Sequence, residues 1–210
     1  MDEPSFLEKA SSNIGMSLGA TLVAASASTY LAPFFPVLMG AFANGRYQKR
    51  VQKALNEINE RLNENEDAVR NISDNQFKLV GEIISTTIHT TNEEKIEILQ
   101  NAVINSISFT DIEEHEASLL SRALRDVTVR EYHFLNDNIQ FKEISVFDPP
   151  IDDHQLRDKQ VVYLPASDES QLLNGLVNLG LIHRGHSGFG GGDFHYSYTK
   201  IGRELVNICQ

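Results

Sequence analysis

Apolar residues along this chain change their spacing from segment to segment, and each change marks an element. From residue 51, Val51, Leu55, Ile58, Leu62, Val69 and Ile72 advance in alternating steps of four and three once Asn65 is included. That is the seam spacing of a short coiled coil. The same stripe suits a helix packed inside its own bundle, and Gln52, Ala54 and Asn59 beside it carry few charges that would select a partner helix. Asn65 would fix a register in a real seam, and at a helix end it would carry no meaning. Ser73 and Asp74 then break the stripe and cap a second helix, with Phe77, Val80, Ile83, Ile84 and Ile88 on its apolar face. Thr91 and Glu94 read as a capping box for a third, which carries Ile96, Leu99, Val103 and Ile107. Thr110 or Asp111 opens a fourth, with Ile112, Leu119, Leu120, Leu124 and Val127. Thr128 and Glu131 form another capping box ahead of Tyr132, Phe134 and Leu135.

Pro149 and Pro150, in the polar stretch Asp148 to Lys159, predict a linker over 141–160. Beyond it Val161 to Leu164 read as a short strand, and Ser167 caps a helix with Leu172, Leu173, Leu176, Val177 and Leu179 that Gly180 ends. Leu181 and Ile182 lead into a strand, Gly185 to Gly192 form a hairpin tip, and Phe194 to Tyr198 return. Thr199 starts a last helix with Ile201, Leu205, Val206 and Ile208. This helix, hairpin and helix order resembles a small winged-helix domain.

Before the first stripe the pattern disappears. From Ala10 to Gly45 there is no Lys, Arg, Asp, Glu or His, and then come Arg46, Lys49, Arg50 and Lys53 with no acid until Glu57. The uncharged run, roughly 36 residues, exceeds the about 20 apolar residues that one bilayer crossing needs. Pro33 and Pro36 divide it, leaving only Ile14 to Ala32 long enough to cross alone. Gly15 and Gly19, with Ala20, Ala24 and Ser28, offer a small-residue face on which two such helices can approach closely. The leading expectation is insertion or surface embedding in a membrane, the second a hairpin buried in a soluble oligomer, and the third a secretory signal. The acidic start Met1-Asp2-Glu3 opposes the third. The basic cluster places residues from Arg46 onward in the cytoplasm if the segment spans, and suits anionic lipid headgroups.

With 210 residues and 41% apolar content the chain has enough material for one or two packed units. Its single cysteine, Cys209, excludes an internal disulfide, and the net charge of -11 argues against a general nucleic-acid binder. On the winged-helix-like unit the recognition-position helix starts Asp168, Glu169 and has no Lys or Arg, so only Arg184, Lys200 and Arg203 offer contacts to DNA or a protein partner.

The glycine-rich tip lacks the Lys-Ser/Thr ending of a phosphate loop and opens no helix. His183, His186 and His195 with Asp193 lack the spacing and cysteine pair of a zinc site. Of the acids Glu93, Glu94, Glu113, Glu114 and Glu116, most sit in first turns, where they complement helix dipoles. His89, His115 and His133 have no evident nucleophile partner. We therefore expect no catalytic residue, no metal and no cofactor.

Thr90-Thr91-Asn92-Glu93-Glu94-Lys95-Ile96, Leu99 to Val103, Asn105-Ser106, Leu119 to Arg122 and Arg125-Asp126 resemble a widespread group of uncharacterised bacterial proteins. These join an apolar N-terminal segment, a helical region and a small C-terminal domain. Tyr198-Thr199-Lys200-Ile201-Gly202-Arg203 is similar, more distantly, to the C-terminal end of the Abi-alpha family associated with abortive infection. The resemblance implies anti-phage defence at the bacterial inner membrane and supplies no catalytic residues. The expected architecture is mainly α. An apolar membrane-associating segment spans 1–45 and a coiled-coil-like helix 46–72, followed by a helical bundle at 73–140, the linker at 141–160, and a winged-helix-like α+β domain at 161–210. The expected partners are membrane lipids and further copies of the chain, associating through Gly15, Gly19, Leu55, Ile58 and Leu62, with a protein partner as a further possibility. The alternative is a soluble winged-helix regulator that binds DNA or a partner protein.

Overall fold

The computed structural model describes residues 48–109, 112–146, 160–165, 167–186 and 194–210. Among them are eight helices and one four-stranded sheet, so the chain is mainly helical. It divides into two compact units at Asp111/Ile112. The expected 1–45 segment, with Gly15 and Gly19, lies outside the described residues. No helix among the described residues is long and apolar enough to cross a membrane.

Unit 1 contains α1 (Gln48–Glu64), α2 (Glu66–Arg70), α3 (Asp74–His89) and α4 (Glu93–Ile107). Ser73 caps α3 in a reciprocal capping box with Gln76. Asn92, one residue beyond the expected Thr91, caps α4 through the Lys95 N–H. The turn between them is short, so α3 and α4 pack as neighbours, and α1 lies against α4 and α3. Leu79, Ile83, Ile84, Leu99, Ala102 and Val103 are fully buried, each large side chain contributing about 1.5–3 kcal/mol of transfer free energy. Leu55, Ile58 and Leu62 belong to the same core, at 2, 0 and 1% exposure. Of the two packings the stripe allows, these three side chains adopt the one inside their own unit. Asn65 is exposed between α1 and α2, its amide donating to Arg61 O. Phe77, expected on the apolar face of α3, is one of the two large apolar side chains that the described residues leave exposed; the other is Leu164.

The Gln76 side chain ties the two ends of this pair together. Its Oε1 accepts from Ser73 N at 2.8 Å, and its Nε2 faces Ile107 O at 2.9 Å, Ser106 O at 3.3 Å and Phe109 O. One amide thus closes the N-terminus of α3 and satisfies carbonyls that α4 leaves open at its C-terminus.

Unit 2 contains α5 (Glu114–Asp126), α6 (Val129–Asn138), β1 (Glu143–Val146), β2 (Gln160–Tyr163), α7 (Asp168–Asn178), β3 (Ile182–His186), β4 (Phe194–Tyr198) and α8 (Lys200–Cys209). The Thr128–Glu131 capping box forms as expected, as do the Ser167 and Thr199 caps. Helix α5 starts later than expected, with Glu113 at its cap position and no side-chain bond there. Gly180 ends α7 at φ 71, with Leu181 N bonded to Leu176 O and Gly180 N to Val177 O, a closure that calls for a left-handed residue.

The sheet order is β2-β1-β4-β3, with β1 parallel to β2 and antiparallel to β4, and β3 and β4 forming the hairpin. Residues 143–146, read from sequence as linker, are therefore an interior strand. Ile144 sits between Val161 and Tyr196, and Val146 between Tyr163 and Phe194. Two tyrosine hydroxyls tie the sheet to α6 and a third ties α6 to α8: Tyr198 donates to Leu135 O, Tyr163 to Asn138 Oδ1 and Tyr132 to Cys209 O. Gly202 lets α8 approach so closely that a Cβ there would lie 2.0 Å from Leu181 O.

Candidate functional site

Side chains alternate across a strand, so the register that turns Ile144, Val161 and Tyr196 to one face turns Glu143, Ser145, Gln160 and His195 to the other. These four form a polar cluster across three strands. His195 Nδ1 is 2.7 Å from Glu143 Oε1 and 2.9 Å from Ser145 Oγ. Gln160 Nε2 donates to Ser145 Oγ at 2.6 Å and to Glu143 Oε1 at 3.3 Å. Ser145 Oγ in turn donates to Glu143 at 3.2 Å. An ionised carboxylate only accepts, so the Glu143 contact requires the proton on Nδ1 of His195.

Serine, histidine and glutamate in one cluster invite comparison with an acyl-transfer relay, but the three are not arranged as one. A relay needs serine on one ring nitrogen and the carboxylate on the other, so that the ring can take the serine proton. Here both face Nδ1, and Ser145 is completely buried. The cluster instead satisfies a buried hydroxyl and cross-links β2, β1 and β4 through their side chains. Sequence reasoning grouped His195 with His183, His186 and Asp193. Asp193 and the His186 side chain lie outside the described residues, which contain no group of three or more potential metal ligands. The missed signal was the polar-apolar alternation of Glu143-Ile144-Ser145-Val146.

The three expected contact residues of unit 2 occupy distinct settings. Arg184 is exposed on β3 with its guanidinium 3.6 Å above the Phe194 ring centroid, and Arg203 is exposed on α8, 5.3 Å from that of Tyr198. Lys200 is bonded to Glu116 and lies 3.6 Å from Glu204, so its charge is largely answered within the unit. The Lys200 partner holds the Glu116 carboxyl below the usual glutamate value, whereas burial pushes Glu204 above it. Asp168, at the start of α7, pairs with Arg130 at 2.8 Å.

In unit 1 the basic cluster is only partly in view. Arg46 and the side chains of Lys49 and Arg50 lie outside the described residues; Lys53 is exposed, 3.6 Å from Glu57. Lys53 and Glu57 border a cleft of ≈ 140 Å³ completed by Ala54, Glu93, Ile96, Glu97 and Gln100. Pockets for small molecules run to about 300–1,000 Å³, so this cleft is too small for such a ligand. Gln100, one of its lining residues, donates to Ala54 O and Glu57 Oε2. The chain matches no protein-family model, no curated protein and no solved structure.

Proposed function

We propose that this is a non-enzymatic, membrane-associated bacterial protein, an oligomeric effector or accessory protein of abortive-infection-type anti-phage defence. Its N-terminal segment binds the inner membrane, and its two units lie on the cytoplasmic side. The observation that carries this reading is the charge-free run from Ala10 to Gly45 ending in Arg46, Lys49, Arg50 and Lys53. The defence role rests on the Abi-alpha resemblance alone. Association falls to the Gly15/Gly19 face, because Leu55, Ile58 and Leu62 are already buried inside unit 1. The winged-helix-like part of unit 2 serves as a protein-binding module. Asp168 and Glu169 at the start of α7 and the pairing of Lys200 with Glu116 make it a poor surface for phosphates. The competing reading, a soluble regulator that touches DNA or a partner, draws on the exposed guanidinium edges of Arg184 and Arg203.

Fractionation of the full chain and of a truncation starting at Arg46, followed by a carbonate wash, tests the proposal. Full-length protein that stays with the membrane while the truncation is soluble is the expected result. Recovery of both in the soluble fraction would overturn the membrane role and favour the regulator.

A further inference from the structure

Helix α8 is fixed to α5 by an uneven set of charges: one ammonium, Lys200, and two carboxylates, Glu116 and Glu204. Lys200 Nζ bonds Glu116 Oε1 and stands 3.6 Å from Glu204 Oε1. Glu204 Oε2 is buried and has no hydrogen-bond partner. A buried carboxylate oxygen without a donor is costly when ionised and acceptable when it carries a proton. We infer that Glu116, Lys200 and Glu204 form a proton-sensitive clasp between α5 and α8, closed most tightly when Glu204 is protonated.

The surroundings of Glu204 support this. The charged groups that act on it are Lys200, on its own helix, and Glu116, on α5. Helix α6, strand β4 and the turn at Leu181 also pack on α8, and none of them supplies one of these groups. Burial outweighs the attraction of Lys200 and raises the Glu204 carboxyl above 4.5, while Lys200 lowers Glu116 below the same value; His115 contributes a smaller push in that direction. The two carboxyls therefore act on opposite sides of pH 4.5. A raised folded-state value means that the native state holds its proton more tightly than the unfolded chain, so the Glu204 contribution falls as pH rises above 4.5. A lowered value means the reverse, so the Glu116 contribution is lost as pH falls below 4.5.

Amide hydrogen exchange of α8 in the full-length protein, corrected for intrinsic rates and followed from about pH 4.5 to 8, tests the clasp. In the wild type, protection of α8 should fall across this range relative to α3, which serves as an internal reference. Glu204→Gln keeps the volume, removes the charge and offers an amide donor. It should flatten the profile and leave α8 better protected at pH 8. Glu116→Gln removes the competing carboxylate and should also weaken the pH dependence. Parallel profiles for the wild type and Glu204→Gln, or a wild type whose α8 protection rises over this range, would overturn the inference. Should Glu204→Gln fail to fold, the Glu116→Gln profile decides.

Discussion

Replacing Gln76 tests how much one side chain contributes where α3 begins and α4 ends. Gln76 is 6% exposed, and its amide meets the backbone at four points: Ser73 N, Ser106 O, Ile107 O and Phe109 O. Its Nε2 has two protons for three carbonyls, so two hydrogen bonds are shared among them. Gln76→Ala removes these two at about 1 kcal/mol each and the reciprocal capping-box bond at about 1 kcal/mol more, a loss of about 3 kcal/mol. At 1.4 kcal/mol per decade, that is roughly a hundredfold in the equilibrium between closed and opened states. Gln76→Glu is the sharper probe. It keeps the acceptor for Ser73 N but turns a second oxygen toward three carbonyls at the negative end of the α4 dipole. At neutral pH the loss should equal or exceed that of the alanine variant. It should shrink as pH falls, because a protonated carboxyl can donate where a carboxylate cannot. Urea unfolding of the full-length protein, with hydrogen exchange in the last turn of α4 as the local readout, measures both effects. A Gln76→Glu protein as stable as the wild type at pH 7, or insensitive to pH, would refute this account of the α3–α4 junction.

Two glycines in unit 2 should respond differently to alanine. At Gly202 the new Cβ meets the Leu181 carbonyl at 2.0 Å, and α8 must lift from a backbone that also accepts from Thr199 N and Oγ1, so a loss of about 3 kcal/mol is expected. At Gly180 there is open space but φ is 71, and the expected loss is about 1 kcal/mol; thermal melts that reverse this order would contradict the packing described. Burial pushes Tyr132 up to about 12 and raises Tyr198 and Tyr163 as well. Their contribution to stability is complete below pH 10 and is lost as pH rises through the folded values. Absorbance at phenolate wavelengths should show Tyr132, Tyr163 and Tyr198 ionising above the ordinary tyrosine value until the fold opens, and ionisation of these three near 10 in the folded protein would exclude their burial.

Caps and stops were the most legible part of the chain, because they depend on residues only a few positions apart. Ser73, Thr128, Ser167 and Thr199 cap helices and Gly180 closes one where side-chain chemistry places them. The stripe through Leu55, Ile58 and Leu62 was legible as a buried face but not as to what buries it, since periodicity defines a surface and not its partner. Strand β1 was hidden because it is four residues long, half polar, and held by strands distant in sequence. The Ser145–His195 contact spans 50 positions, and no local pattern encodes it. The polar cluster on the sheet was obscured for the same reason, since placing β1 is what brings Glu143 and Ser145 beside Gln160 and His195. Whether a lysine is free or already neutralised also depends on distant residues, as Lys200 and Glu116 show.

The interior place of β1 sets an order for synthesis. Strand β1, the first to be synthesised among the described strands, gains one neighbour when Gln160–Tyr163 appears, and its other edge stays open until Phe194–Tyr198 has been made. Helices α3 and α4, adjacent in the chain, can pair as soon as both are out. While the sheet is incomplete, the β4-facing edge of Glu143–Val146 is an unpaired strand edge, the kind of edge that another nascent chain can occupy. Slowing translation after residue 163 should therefore raise aggregation more than slowing it before residue 143, even though the finished protein is identical.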